Sequence, residues 1–437
     1  MRAVAGAATG ARRGGPVIGI DARLLSGRQG GVEQYVIGLA SGLSGLADGD
    51  EEYRFLVYPG AGDWLAPYVS GPATLVEAAA GPPAEHWSAA VRGRIGAALP
   101  LVRRGWRAVA MRRIGPAYRD GDALLPDDAM AAAGAQLVHF PFQRGFRTEL
   151  PSIYQPWDLQ HRHLPGFFSP STIRWREATY RALCEQARLV ITASEWTKRD
   201  VAGSYAIPAD RIAVVNVPPP LTAYAAPARE ELPRIAAALH LPPRFLLYPA
   251  QAWPHKNHAR LFAALARARR RGVNVHLVLT GSAIDGRRRL ESQARRHGVE
   301  AHVTSVGFVE PSVLHAIYLL ADGLVFPSLF EGWGLPIVEA FAARLPVACS
   351  NVTSLPELVG EAALIFEPTD VDAIAASMTR LWTDAGRRAE LAERGWQRIR
   401  GLTWPATARL LRAHYRRVLG NSLASEDQQL LQQASMA

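Results

Sequence analysis

The chain has 437 residues, 49% of them apolar, and a formal net charge of +10. That length favours two domains of roughly 200 residues over one compact core, and no apolar run approaches the ~18 residues that cross a bilayer. The basic balance suits phosphorylated ligands, an anionic membrane surface or nucleic acid.

Residues 1–15 are Ala, Gly and Arg without an apolar centre, which predicts a disordered leader and not a secretory signal. Residues 16–25 predict a buried first strand. A glycine loop with Gly30 and Gly31 follows, then a helix with Val32, Tyr35, Val36 and Leu39 on one face. Strand, glycine loop and helix open a doubly wound fold. The dinucleotide fingerprint G-x-G-x-x-G is absent. The glycine pair is either a bare turn or a place where backbone approaches a ligand closely.

Residues 53–58 form a second expected strand, and Asp48 and Asp50 lie in what reads as a solvated turn. From 81 to 128 the pattern loosens. Within it, residues 101–114 set Val102, Trp106, Val109 and Ile114 on one helical face, with Arg103, Arg104, Arg107, Arg112 and Arg113 around the remainder. This is either an ordinary solvated helix or a basic amphipathic helix lying on an anionic membrane. Strands are expected at 136–140, 152–154, 188–193 and 211–215. After the second of these comes a dense polar cluster with Asp158, His161 and His163. Residues 217–233 read as a linker.

The second half repeats the grammar. Strands are expected at 244–248, 273–280, 302–307, 323–326, 345–349 and 363–366, alternating with helices, so both sheets should be parallel. The loop after the first carries Lys256, one of only two lysines among 49 basic residues. In so arginine-rich a chain, a retained lysine suggests a use for a compact ammonium. Ser354 and Glu357 have capping-box spacing. A closing helix over 404–419 carries Leu410, Leu411, Tyr415 and Val418, and the polar residues 421–437 read as a disordered tail. Cys184 and Cys349, far apart in apolar or helical contexts, fit a reduced cytoplasmic protein and no disulfide framework.

The chemistry concentrates at Ser328-Leu-Phe-Glu-Gly-Trp-Gly-Leu-Pro-Ile-Val-Glu-Ala340. A strand, a loop with Gly332 and Gly334, and a helix beginning near Pro336 place backbone N–H groups at a positive helix end, which suits an anion. Glu331 and Glu339 frame that site, one in the loop and one expected in the first helical turn. Two hydroxyl-accepting carboxylates beside an anion site suit a sugar joined to a phosphate. The plainer alternative is a helix start whose dipole Glu339 complements, with Glu331 solvated.

Glu331-Gly-Trp-Gly-Leu-Pro-Ile-Val-Glu339 closely resembles the E-x7-E signature of the retaining glycosyltransferases of family 4. The loop Pro249-Ala-Gln-Ala-Trp-Pro-His-Lys-Asn-His258 resembles the phosphate-contacting loop of a bacterial mannosyl- and rhamnosyltransferase branch. Asp158-Leu-Gln-His161 and Pro165-Gly-Phe-Phe-Ser169 look like the N-domain loop of that branch, and Gly30-Gly31-Val-Glu33 its first glycine loop. The resemblance covers roughly residues 16–420. It implies the α/β GT-B fold, two Rossmann-like doubly wound parallel-sheet domains facing across a cleft. Residues 16–220 would form the acceptor-binding domain and 234–402 the nucleotide-sugar domain, with the 403–420 helix packing back toward the first.

The resemblance implies roles as well. Glu339 would hold the ribose hydroxyls and Glu331 those of the donor sugar. Lys256 with the Gly334 and Leu335 amides would hold the diphosphate, with Gly281 and Gly332 lining that site and Gly30 and Gly31 closing on it. Asp158 or His161 would serve the acceptor. No metal or other cofactor is implied. The donor would be a nucleoside-diphosphate sugar, best GDP-mannose, and the acceptor a saccharide or lipid-linked sugar of cell-surface polysaccharide. The enzyme would be cytoplasmic, peripheral at the inner membrane face through 101–114, without nucleic acid.

Two positions depart from that pattern. Relatives often carry Arg six residues before the lysine, where this chain has Ala250, and His before the loop Asp, where it has Trp157. Phosphate neutralisation then rests on Lys256 alone or on an arginine from elsewhere. Competing readings are a same-fold sugar-nucleotide epimerase and a non-catalytic basic binding protein. A phosphorylase needs a pyridoxal-binding lysine, and Lys256 is already placed on the phosphate loop.

Overall fold

The computed structural model describes residues 14–25, 30–78, 124–281 and 286–436. The first sheet is built from β1 (Val17–Asp21), β2 (Glu52–Val57), β3 (Ala73–Glu77), β4 (Leu137–Phe140), β5 (Ser152–Tyr154), β6 (Leu189–Thr192) and β7 (Ile212–Val214). All pairs are parallel, in the order β3-β2-β1-β4-β5-β6-β7. The second sheet holds β8 (Leu246–Pro249), β9 (Leu277–Thr280), β10 (Val303–Gly307), β11 (Gly323–Phe326), β12 (Val347–Ser350) and β13 (Ala363–Phe366), also parallel, in the order β10-β9-β8-β11-β12-β13. Two such sheets facing each other across a cleft are the GT-B architecture.

The central strands are short apolar runs covered on both faces, as parallel strands must be. Leu137, Val138 and Phe140 of β4 and Leu324, Val325 and Phe326 of β11 are fully buried. Each sheet reverses its strand order once, between β1 and β4 and between β8 and β11. Loops leaving the carboxyl ends of strands at such a reversal splay apart and leave a crevice. The loop after β1 leads to Gly30, and those after β8 and β11 carry Lys256 and Glu331.

The N-terminal sheet is flanked by α1 (Gly31–Ser44), α2 (Ala129–Ala132), α3 (Gln160–His163), α4 (Pro170–Gln186) and α5 (Glu195–Tyr205). The C-terminal sheet carries α6 (Leu232–Ala238), α7 (His258–Arg270), α8 (Arg287–His297), α9 (Pro311–Leu320), α10 (Leu335–Ala342), α11 (Leu355–Val359), α12 (Val371–Thr383) and α13 (Ala385–Ile399). The chain then returns through α14 (Trp404–Leu419), capped by the Thr403 side chain, which accepts from the Ala406 amide. α14 packs on α1 of the first domain. A Cβ at Gly38 would lie 2.0 Å from the Trp404 ring and one at Gly42 2.8 Å from the Trp404 carbonyl oxygen, so the two glycines form the groove that takes the indole.

Several expectations are corrected. The edge strand β3 has no counterpart in the sequence reading, because Thr74 is exposed and an edge strand buries only part of its length. The strand expected from 273 begins at Leu277, because the Val275 amide turns back to the Val273 carbonyl at 3.0 Å. The stretch read as a disordered tail forms α15 (Ser425–Met436). Arg416 holds it down, reaching Glu51 at 2.5 Å on one side and Asp427 at 2.8 Å on the other. Asp48 is exposed, as read, and also accepts from both terminal nitrogens of Arg412 at 2.6 and 3.1 Å. Of residues 1–15 only Gly14 and Gly15 are described, and 101–114 lie outside the described residues.

Candidate active site

A cavity of about 350 Å³ opens between the domains, lined on one side by Gly30, Gly31, Gln143 and Asp158 and on the other by Lys256, Gly281 and the 331–339 loop. That volume falls within the range of small-ligand sites.

Lys256 is placed by a short turn, Pro254–Lys256, that ends at Asn257 in the left-handed region (φ 59°). The Asn257 amide nitrogen donates to the carbonyls of Pro327 at 3.0 Å and Pro368 at 2.8 Å, and the Leu329 amide donates to the His255 carbonyl at 2.8 Å. The lysine loop is thereby tied to the loop after β11, and the Lys256 ammonium meets Glu331 Oε1 at 2.6 Å. Glu331 itself is pinned by Thr353, whose hydroxyl oxygen accepts from the Glu331 amide at 3.1 Å and lies 2.7 Å from its carbonyl.

Gly334 caps α10 at φ 116°, a conformation that favours glycine. The Gly334 and Leu335 amides therefore lie at the positive end of the α10 dipole and line the cavity. Because α10 begins at Leu335, Glu339 sits beyond the first turn, buried, and its Oε2 accepts from the Tyr318 hydroxyl at 2.7 Å. Burial pushes the Glu339 carboxyl up to about 7, against the opposing pull of the Tyr318 hydrogen bond. Gly281, at φ 115°, lies so close to the lysine loop that a Cβ would sit 2.9 Å from the Ala250 carbonyl.

From the other domain, a Cβ at Gly30 would lie 3.0 Å from the Gln251 side chain and one at Gly31 2.8 Å from Leu335 Cδ1. The glycine pair therefore closes directly on the lysine loop and the start of α10 and is not a bare turn. Asp158 lines the same cavity. Burial raises its carboxyl pKa and the charge of Glu331 adds to that, while the Gln160 amide, Arg176 and Lys256 oppose it.

His161 is not brought to the cleft. It is fully buried, with Nε2 3.3 Å from Glu177 and its ring edge-on to Tyr180, and burial lowers its pKa to about 4. The reason is local: α3 begins at Gln160 and turns the next side chain inward beneath α4. Trp157, at φ 69°, is among the residues lining the cavity and donates its indole N–H to the Pro141 carbonyl at 2.9 Å. Arg289 of α8 donates to the Ala252 carbonyl of the loop that carries Ala250, but it is exposed and not among the cavity-lining residues.

Sequence reasoning missed Tyr318, Thr353 and Gln143, together with the exposed aromatics Trp253 and Phe308 at the cavity mouth. A strand-end position was the only available signal for Phe308, and Tyr318 had none. Ser354 and Glu357 form no capping box. The Ser354 hydroxyl reaches the carbonyls of Glu331 at 3.0 Å and Trp333 at 3.2 Å, and Glu357 accepts from two amides of the opposite domain.

Residues 233–398 match the family model described as glycosyl transferases group 1. Among curated relatives, the chain is 30% identical over 242 residues to an O-antigen chain mannosyltransferase B of Escherichia coli, covering 55% of this chain and 63% of that protein. It is 30% identical over 176 residues to an MMP alpha-(1->4)-mannosyltransferase of Mycolicibacterium hassiacum, covering 39% of this chain and 42% of that one. The match thus spans less than two thirds of these relatives. Solved structures share the fold across nearly the whole chain. Sucrose-phosphate synthase of Thermosynechococcus elongatus superposes with a TM-score of 0.66 at 21% identity, covering 93% of this chain and all of that one. Anabaena Alr3699/HepE in complex with UDP and glucose gives 0.65 at 17% identity, covering 92% and 99%.

Proposed function

We propose that this chain is a retaining glycosyltransferase of family 4. It moves a hexose, mannose first among candidates, from a nucleoside-diphosphate sugar to a saccharide or lipid-linked acceptor in cell-surface polysaccharide synthesis. The observation that carries the reading is the convergence of Lys256, Glu331, Glu339 and the α10 amides on one interdomain cavity that Gly30 and Gly31 close. A cation and a helix end suit a diphosphate, and two carboxylates suit hydroxyls.

In this reading the bond from the sugar anomeric carbon to the diphosphate oxygen breaks, and the acceptor oxygen bonds to the same face of that carbon. The departing phosphate takes the acceptor proton. Lys256 and the Gly334 and Leu335 amides offset the charge that grows on the leaving oxygen, the kind of contribution that dominates such catalysis. With Lys256 bound to phosphate, Glu331 is released to accept sugar hydroxyls, while Glu339 takes those of the ribose. Asp158 lies on the acceptor wall, where a carboxylate receives the incoming hydroxyl.

The mannosyl preference is supported by the names of the curated relatives, and GDP-mannose is the donor we infer. No metal enters this scheme, since protein groups carry the phosphate charge. Among the described residues no helix is long and apolar enough to cross a membrane. A cytoplasmic enzyme that touches the inner membrane face through residues 101–114 is part of the proposal.

Purified protein offered GDP-mannose, UDP-glucose, UDP-N-acetylglucosamine and dTDP-rhamnose tests the reading. Donor hydrolysis or transfer that survives EDTA and is lost in Glu331→Ala is the expected result. Absence of thermal stabilisation by every donor at millimolar concentration sinks it, because a ligand at 100 times its Kd stabilises by ~2.7 kcal/mol.

A further inference from the structure

The Ser354-Leu-Pro-Glu357 segment predicts a local cap, yet neither polar side chain caps its own helix. Glu357 instead crosses to the N-terminal domain. Its Oε1 accepts from the Glu195 amide at 2.8 Å and its Oε2 from the Trp196 amide at 3.0 Å, the first two amides of α5. The next amide, Thr197, is satisfied within the domain by the Ser194 hydroxyl at 3.1 Å, and that of Lys198 by the Ser194 carbonyl at 3.0 Å. Two of the donors at the positive end of α5 therefore take their acceptor from the other half of the molecule. Such hydrogen bonds are charge-assisted and reinforced by the helix dipole.

The same helix end grips the donor loop. The hydroxyls of Ser194 and Thr197 both reach the Gly332 carbonyl, at 3.0 and 3.2 Å. Trp196 lies edge-on to Phe330, with ring centroids 5.4 Å apart, and His163 lies 5.2 Å from the same ring. The Trp333 indole N–H donates to the Val217 carbonyl at 3.0 Å. On the C-terminal side, Thr353 and Ser354, immediately before α11, hold the backbone of Glu331. One segment, 353–357, thus fixes Glu331 at one end and reaches across the cleft at the other.

We infer that Glu357 is a positioning residue whose bidentate clasp on α5 couples closure of the two domains to the placement of Glu331. This inference rests on the transferase reading. Opening the cleft strips the Glu195 and Trp196 amides of their acceptor and frees Gly332 from the two hydroxyls together, so the clasp engages as a unit. Glu357 is not among the residues that line the cavity. Its removal leaves the donor-binding groups of the C-terminal domain intact and misaligns them with the N-terminal wall in the closed state.

The test uses the full chain as wild type, Glu357→Ala and Glu357→Gln. Small-angle scattering is recorded without ligand and with GDP-mannose, beside kcat, KM and donor Kd. Glu357→Ala is expected to be more extended than wild type without ligand and to keep donor Kd. Its kcat falls by roughly 10²-fold, the scale set by a misplacement of about 1 Å. Glu357→Gln, which retains one acceptor oxygen, lies between. A merely structural role would lower the melting temperature and donor affinity together without changing dimensions. Wild-type dimensions and turnover in Glu357→Ala overturn the inference, and if that variant does not fold, the same result in Glu357→Gln does so. If wild type turns over no sugar nucleotide, the transferase reading fails, while the ligand-free scattering still decides whether the clasp holds the domains together.

Discussion

The Lys256 ammonium lies 2.6 Å from Glu331 Oε1, and each side chain is only 13% exposed. Removing one partner of such a pair leaves the other charge shielded from water and uncompensated, which costs more than the pair itself contributes. Lys256→Met is therefore expected to lose roughly 10²–10³-fold in kcat through the missing cation and also to lower stability by about 1–3 kcal/mol. Glu331→Gln in the Lys256→Met background restores part of that stability and none of the activity. Chemical denaturation of the double-mutant cycle measures the coupling. Strict additivity of the two single changes excludes an energetic pair.

The Glu339 carboxyl, raised by burial from 4.5 to about 7, gives a pH signature of defined sign. A carboxyl whose folded pKa exceeds its unfolded one stabilises the fold below the unfolded value and loses that contribution as pH rises through the folded value. In the ligand-free protein this group's contribution declines between 4.5 and about 7. Ribose binding requires the carboxylate and so runs the opposite way. Donor KM is expected to rise roughly tenfold from about pH 8 to about pH 6 in wild type, and to be flat and high in Glu339→Gln. Steady-state kinetics across that range reads the difference, and a flat wild-type profile contradicts the assignment.

Gly332 tests the closed cleft from the backbone. A Cβ there would lie 2.1 Å from the Trp157 carbonyl oxygen, which belongs to the other domain. The backbone at Gly332 does not have positive φ, so alanine is accommodated within its own domain. Gly332→Ala is expected to hold the domains apart and to cut kcat/KM by about 10²-fold, with the circular dichroism spectrum unchanged. Turnover within a factor of two of wild type would show that the clash relaxes freely.

The return of α14 to the first domain depends on the groove at Gly38. An alanine there meets the Trp404 ring at 2.0 Å. Overpacking of this kind costs about 1–3 kcal/mol. Urea denaturation of Gly38→Ala should show that loss, and a smaller second side chain, as in Gly38→Ala with Trp404→Phe, should recover part of it.

Much of the fold was legible because parallel strands buried on both faces are contiguous apolar runs. The stretches at 152–154, 323–326 and 363–366 coincide with β5, β11 and β13. The loop at 328–340 was legible for the same local reason, since glycines, a proline near a helix start and two spaced carboxylates lie close together in the chain. Polar side chains with distant partners were not legible. His161 reads as a loop histidine, yet α4 covers it. Ser354 and Glu357 read as a cap, yet the nearest unsatisfied donors lie across the cleft.

The sequence by itself determined where most strands and helices fall, the two-domain α/β arrangement and the glycine loop flanked by Glu331 and Glu339. Those depend on hydrophobic period and on turn and cap chemistry, which act over a few residues. The tertiary structure alone decided that Lys256 meets Glu331, 75 residues away, because the strand order sets β8 beside β11. It also decided that Arg416 draws Glu51 and Asp427 together to fold the polar tail into α15. It decided as well that Glu357 caps a helix it does not belong to. A buried polar group takes whichever partner the packed chain brings within reach, and residue spacing along the chain carries no record of that choice.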